Sequence, residues 1–410
     1  MKKLLTVGSA LLLLSTSAFA TESRLLALGM NETDNEGMFY IQDGRNIFLN
    51  SANVNMYADQ LVTEYGSNGL TVGAGQTVDQ NHRPKAQGGV FKKYGGMTYG
   101  VYYGNESNTS SLLRIAGTRD AATPPPTADN QLDLFVGGDA GMKWGANVTY
   151  AHSKDDVANT KDTSIATRLG LIGSGWDALL NISLGSKSES PATAGRQKFD
   201  GKIGFQVGGS YMLGDAGRVF GYVKHYGWDE ELTGAATVKG DFTSYYLGYG
   251  RDMTVNTNGK IFASVAARKT DINLKFTQKG EVRHLVIPLN VGYEAVATEW
   301  LTLRGSVVQN LYGKRDNKRI TTASGTDLLG AAPGLITAIY GGTGKATVAN
   351  STEVNAGATL TFGQLALDGM IGLTSSDRGT GSTGAAAANK NQGLLALDNL
   401  ASRVGLTYKF

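Results

Sequence analysis

From residue 60 onward the chain repeats one pattern. Segments of about ten residues alternate apolar and polar side chains, punctuated by Gly, Asn and Asp. Trp176, Ala178, Leu180, Ile182 and Leu184 share one face, and Asp177, Asn181, Ser183 and Gly185 the other, with Leu179 the exception. Ile203, Phe205, Val207, Gly209 and Tyr211 likewise oppose Lys202, Gln206 and Ser210. A period of two belongs to a strand whose two faces meet different surroundings. The segment length suits a membrane-crossing strand.

Sixteen strands are predicted, at 60–66, 86–94, 96–104, 131–138, 141–152, 162–173, 176–186, 197–213, 217–229, 240–251, 258–270, 282–294, 299–311, 350–363, 365–374 and 400–410. Tight joins fall at Gly95, Asp139-Ala140, Ser174-Gly175, Gly214-Asp215, near Asn256, at Ala297-Thr298 and at Gln364, with longer connections between them. The longest are 105–130, 312–349 and 375–399. A soluble sandwich also alternates its faces, but it has no reason to alternate its connections. Outer-membrane barrels do, with short periplasmic turns, long external loops and an even strand count. The fold expected is an all-β, antiparallel, up-and-down transmembrane barrel. Pro288 falls inside a predicted strand, where it removes a ladder donor and predicts a bulge. Trp144, Trp176 and Trp300 fall at the periplasmic rim and Trp228 at the outer rim, as aromatic girdles would.

Composition fits an exported barrel. Lys2 and Lys3, the apolar run Leu4 to Leu14 and Ala18-Phe19-Ala20 read as a signal peptide cut before Thr21. The division expected is a cleaved leader at 1–20, a plug or periplasmic cap at 21–59 and the barrel at 60–410. Removing the leader lysines takes the formal charge from +3 to +1, without the basic excess that nucleic-acid binding needs. Cys is absent, so no disulfide holds the exported chain. No mature segment has 18 consecutive apolar residues, which excludes helical spans.

In these registers Lys143, Arg168, Lys202, Lys260, Arg268, Arg304, Arg403 and Lys409 face inward, as do Asp177, Glu294, Glu353 and Asp368. A Lys or Arg facing lipid at mid-membrane costs roughly 2–4 kcal/mol, so a wet, pore-lining lumen is expected, with a mild preference for anions. Catalytic, cofactor and metal sites are not expected. His152-Ser153-Lys154-Asp155-Asp156 reads as a solvated loop, Gly341 to Lys345 lacks the hydroxyl residue of a phosphate loop, and Asp34-Asn35-Glu36-Gly37 lacks full calcium-ligand spacing. The 312–349 connection, with Lys314, Arg315, Lys318 and Arg319 before Leu328 to Tyr340, either caps the outer mouth or folds inward.

The last strand, with Val404, Leu406, Tyr408 and Phe410 on one face and Arg403, Thr407 and Lys409 on the other, resembles that of outer-membrane porins. The resemblance implies residence among outer-membrane lipid and lipopolysaccharide. It also implies Tyr408 and Phe410 as the signal for the barrel-assembly machinery, and a homotrimer. Ser23 to Met30 and Asp43 to Ala52 loosely resemble the start of the long-chain fatty-acid transporter family. There an Asn-Pro-Ala motif precedes the barrel, and here Asn50-Ser51-Ala52 stands without the Pro. The segment also resembles the major outer-membrane porins of predatory bacteria. Its apolar residues, among them Leu25, Leu26, Leu28, Ile47 and Phe48, need burial. The leading function expected is passive diffusion of small hydrophilic solutes and ions. The alternatives are a plugged transporter of hydrophobic solutes and a surface-contact barrel without a pore.

Overall fold

The computed structural model describes residues 21–30, 37–66, 85–105, 131–157, 159–192, 195–232, 237–275, 279–320, 342–347, 352–374 and 400–410. The strand segments are β1 (Gln60–Gly66), β2 (Lys85–Tyr94), β3 (Met97–Tyr103), β4 (Gln131–Asp139), β5 (Lys143–Asp155), β6 (Thr160–Gly173), β7 (Trp176–Ala192), β8 (Gly195–Gly201), β9 (Gly204–Met212), β10 (Arg218–Leu232), β11 (Val238–Asn256), β12 (Gly259–Lys275), β13 (Lys279–Thr298), β14 (Leu301–Lys318), β15 (Gly344–Thr347), β16 (Thr352–Phe362), β17 (Leu365–Thr374) and β18 (Leu400–Lys409). Both β8 and β9 lie between β7 and β10, and both β15 and β16 lie against β14. Each of these pairs is one interrupted strand, so the wall has sixteen positions, the number read from the alternation. Neighbours pair antiparallel throughout, and β1 pairs with β18, Gln60 opposite Lys409 through Gly66 opposite Arg403. The sheet is closed, and every interior strand position has partners on both sides.

The tight turns take the backbone shapes that their glycines permit. Gly95 and Gly96 have φ of 59° and 83° between β2 and β3, a left-handed pair that suits a two-residue hairpin. At Pro288 the pairing of β13 with β14 shifts register and Leu311 is passed over. The missing donor is thus accommodated by a bulge.

Outward positions form an exposed apolar surface, for instance Leu134, Val148, Leu180, Val207, Leu247 and Ile371. Inward positions are polar or small, apart from large apolar residues such as Phe91, Phe135, Phe220, Phe262 and Met370. On β10 to β14 this order reverses towards the long-connection end. Along β12, Ile261, Ala263, Val265 and Ala267 face out, followed by Lys269, Asp271 and Asn273. The inward positions change in the opposite sense, from Ser264 and Arg268 to Ile272 and Leu274. Polarity of the lower part suits a wall between lipid and a polar interior. That of the upper part suits a soluble sheet with an apolar core.

The reversal corrects two sequence expectations. The ten-residue template ended these strands too early. β12 runs to Lys275 and β13 starts at Lys279, while β10 runs to Leu232 and β11 starts at Val238, so these outer joins are short rather than long. Trp228 is 2% exposed and faces inward with Phe199, Tyr226, Phe242, Ile272, Leu274, Val282 and Ile320. It belongs to this upper core and not to a girdle. His152 to Asp155 belong to β5 rather than to a loop. Residues 321–341, which hold Leu328 to Tyr340, and residues 31–36, with Asp34 to Glu36, lie outside the described residues.

The reversal sets a measurable boundary. Leu247→Lys, in the exposed apolar band, is expected to destabilise the lipid-inserted barrel by roughly 2–4 kcal/mol if it lies near the midplane. Thr243→Lys, two inward-outward steps higher on the same face, is expected to change it by less than about 1 kcal/mol. Urea titration of both variants in lipid vesicles checks the difference.

Candidate functional site

Residues 21–30 and 37–57 lie inside the barrel. Three polar residues set their local shape. The Thr21 hydroxyl accepts the Arg24 N–H at 3.3 Å and caps helix α1 (Glu22–Ala27). The Asp43 carboxylate accepts the Arg45 N–H at 2.9 Å and caps a 3-10 turn at Gly44–Phe48. The Asn50 amide oxygen accepts the Ala52 N–H at 3.1 Å and caps another at Ser51–Met56. Caps satisfy orphan donors, but helices this short do not persist alone in water. The wall supplies the remaining stabilisation.

Part of the contact is ionic. Arg24 meets Asp43 and Glu294 at 2.9 Å each. Glu294 meets Arg304, and Arg304 meets Asp368 at 3.0 Å. Asp368 also accepts the Thr21 hydroxyl at 3.0 Å and that of Thr359. Charges therefore alternate along one buried chain from Asp43 to Asp368. Burial pushes the Asp43 carboxyl up to about 6 against the pull of Arg24, which leaves it mainly ionised at neutral pH. A second group joins Glu22 to Arg403 at 2.7 Å, with Gln87 donating to both Glu22 and Glu64. Burial favours protonation of Glu22, but Arg403, Arg45 and Gln87 outweigh it and hold the carboxyl below its ordinary value. In a third group Arg168 meets Asp133 at 3.0 Å and lies over the Phe48 ring.

Close approach provides the rest. Ser51 donates to the Gly145 and Arg168 carbonyls at 2.8 and 3.2 Å, and Asn50 to those of Leu171 and Ala178 at 3.3 and 3.1 Å. The Asn50-Ser51-Ala52 motif thus meets β5, β6 and β7. Gly137, Gly145 and Gly170 floor this contact, where any Cβ would collide with Val54, Ser51 or Asn50. Gly357 and Gly405 give the same clearance to Ala27 and Thr21. Further round, Asn290 donates to the Leu28 carbonyl at 3.0 Å, and Tyr40 bonds Ser264 and Asn290. Phe39 and Tyr40 stack on Phe220 at 5.3 and 5.7 Å. The segment touches the wall on every side of its circumference. Apolar packing joins Phe48 and Val54 to Phe91, Tyr102 and Phe135, and Leu25 and Leu28 to Phe262 and Met370.

Above the segment, aromatic rings climb β10 and β11. Phe220 meets Tyr246 at 5.6 Å and Tyr246 meets Tyr222 at 5.1 Å. Beyond Lys224 and Ser244, Tyr226 stacks on Phe242 at 4.9 Å and touches Trp228 at 5.9 Å. Phe39 and Tyr40 form the lower end of this track and Trp228 the upper.

Of the residues read as pore-lining, Lys143, Arg168, Asp177, Lys260, Arg268, Glu294, Arg304, Glu353, Asp368, Arg403 and Lys409 occupy inward positions in the strand registers. Lys202 does not. The strand breaks between β8 and β9, and its ammonium meets Asp200 and Asp229 on the outer face at 2.9 and 3.1 Å. The water-lined lumen also needs correction. Arg168, Glu294, Arg304, Asp368 and Arg403 are less than a tenth exposed, being paired with one another, with Asp133 or with the segment. The inward charges also extend beyond those residues. The count omitted Glu64, Asp133, Asp162, Arg218 and Lys224 on the wall and every charge on the segment. Alternation finds such wall residues once strand limits are known. No local pattern finds Arg24 and Glu22, whose wall partners Glu294 and Arg403 lie 270 and 381 positions away.

No protein-family model and no curated protein matches this chain. Solved structures with similar overall architecture are outer-membrane proteins. A bacterial polysaccharide outer-membrane secretin is 7% identical, with 86% of this chain and 97% of that chain covered and a TM-score of 0.42. The Pseudomonas putida toluene transporter TodX is 9% identical over 96% and 100%, with a TM-score of 0.36. The ferric citrate transporter FecA is 10% identical over 85% and 55%, with a TM-score of 0.39. Such distant likeness leaves function to the chain's own geometry.

Two outcomes follow for the segment. Arg24→Gln strands Asp43 in the interior, leaves Glu294 with Arg304 alone, and is expected to cost about 3–5 kcal/mol, read as a lowered thermal midpoint. Gly170→Val places a branched side chain where Asn50 and the Ala52 amide lie. It is expected to expose residues 21–57 to added protease while β1 to β18 stay resistant, as limited proteolysis with mass mapping would read.

Proposed function

We propose that this chain is an outer-membrane transport barrel which its own N-terminal segment holds closed at rest, and which takes apolar and aromatic solutes rather than passing ions freely. The observation that carries this reading is the all-round contact of residues 21–30 and 37–57 with the inner wall. Ion-paired and closely packed protein across the bore is what a resting barrier to water and ions requires. The solute class is supported by Tyr222 and Tyr246 in the aromatic track on β10 and β11, whose rings stay partly exposed between Phe220 and the upper core. Ring faces bind flat or apolar molecules without directional demands, and Arg268 lies over Tyr246 at 5.3 Å, where a partly anionic aromatic would gain further. Outer-membrane residence is supported by the exposed apolar surface and the closed sheet.

Planar-bilayer recording tests the closed state. Wild-type protein is expected to be nearly silent, and a variant lacking residues 24–52 to conduct steadily. A steady wild-type channel, unchanged by the deletion, would restore the open diffusion pore. Vesicle uptake of an aromatic hydrocarbon tests the solute class. Tyr222→Ala with Tyr246→Ala is expected to slow uptake about tenfold, on stacking losses of order 1 kcal/mol per ring. Equal uptake by the double variant would remove the track from the account.

A further inference from the structure

The buried ionic chain ends one charge short. Asp43, Glu294 and Asp368 face only Arg24 and Arg304 among the described residues of that chain. Lys260, opposite Glu294 in register, is turned towards Asp252 at 3.8 Å and stays half exposed. Burying three carboxylates with two guanidiniums leaves a net negative interior, which is costly. Asp43 responds to Asp368 as a like charge that raises its pKa. Asp368 is fully buried, and the residue it reaches at the open end of the chain is Thr21, itself fully buried.

Thr21 is also where the leader is expected to be cut. We propose that the α-ammonium of Thr21, created by leader removal, is the missing cation of this chain, and that it pairs inside the barrel with Asp368. The proposal rests on cleavage after Ala20. Hydrolysis of the Ala20–Thr21 amide consumes one water. It leaves a carboxylate on Ala20, which departs with the leader, and an ammonium on Thr21. Before the cut this nitrogen is a neutral amide, and afterwards it carries a full charge. The Thr21 hydroxyl lies 3.0 Å from Asp368, so the nitrogen of the same residue sits within one residue's reach of that carboxylate. Gly405 opposite Thr21 has no side chain to stand in the way, and a Cβ there would press on the Thr21 side chain. The order in space then becomes Asp43, Arg24, Glu294, Arg304, Asp368 and the new terminus, with charges alternating from end to end. Processing would thereby seat the segment, and an uncut or differently cut chain could not complete the alternation.

The test uses full-length protein purified from outer membranes. Intact mass is expected to give a chain that begins at Thr21, and any other start overturns the proposal at its first step. An amine-reactive reagent applied near pH 8, with peptide mapping, is expected to modify the Thr21 amine at least about fivefold more slowly in the folded barrel than in the denatured chain, as a one-unit rise in pKa alone would give. Equal rates would overturn the ion pair while leaving the cleavage reading intact. Coupling gives a readout that mere burial does not. A glycine inserted between Ala20 and Thr21 and the Asp368→Asn change are each expected to lower the thermal midpoint, with no further loss when combined. Fully additive losses would overturn the pairing. If Asp368→Asn does not fold, the labelling rates of the wild-type protein decide alone.

Discussion

A charge removed from water needs a partner, and inside this barrel the wall and the N-terminal segment provide partners for each other. Arg304 lies between Glu294 and Asp368, Arg24 ties Glu294 to Asp43, and Glu22 answers Arg403. Neither surface would be stable dry without the other. Stripped of the segment, the wall would hold carboxylates and guanidiniums that must stay hydrated. Outside the barrel, the segment would be three capped turns too short to persist. The closed bore, the segment's shape and the reading as a gated transporter all descend from this mutual neutralisation.

Glycine gives the ionic contacts their geometry. At Gly145 and Gly170 the wall is bare backbone, so Asn50 and Ser51 come near enough to bond strand carbonyls directly. This ties the abundance of glycine to packing as well as to turns. On the far wall the contact changes in kind, with Phe39 and Tyr40 stacked on Phe220. The segment is thus clamped by charges and close backbone contact on most of the circumference and by rings on β10.

Much of the fold was legible because a period of two is written locally in each strand. Sixteen segments, the tight joins and the bulge at Pro288 all follow from residues within reach of one another in sequence. Errors arose where the surroundings change along one strand. The alternation of β12 continues past Ala267, but its apolar face turns from lipid to core, and Trp228 moves from girdle to interior for the same reason. Lys202 kept the parity of β9 on paper and lost it at a break that no pattern announces. The site was less legible still. Its inward charges were visible, but their burial was not, since Thr21 and Asp368 are 347 positions apart and Glu22 and Arg403 are 381 apart. Pairings at that distance come from the closed sheet, which brings β17, β18 and the start of the chain to one place.

The central claim is that residues 21–57 rest inside the bore against the wall. The chain has no cysteine, so a single introduced pair gives a clean reading. In the double variant Val54→Cys with Gly137→Cys, the first change removes the Val54 methyl that a Cβ at 137 would strike, and the two side chains face each other across the contact between the segment and β4. The account predicts that this pair oxidises to an intramolecular disulfide in nearly all folded molecules, detected as a mass loss of about two hydrogens with both thiols blocked to alkylation. Two free thiols that alkylate readily in the folded, membrane-inserted protein would contradict it.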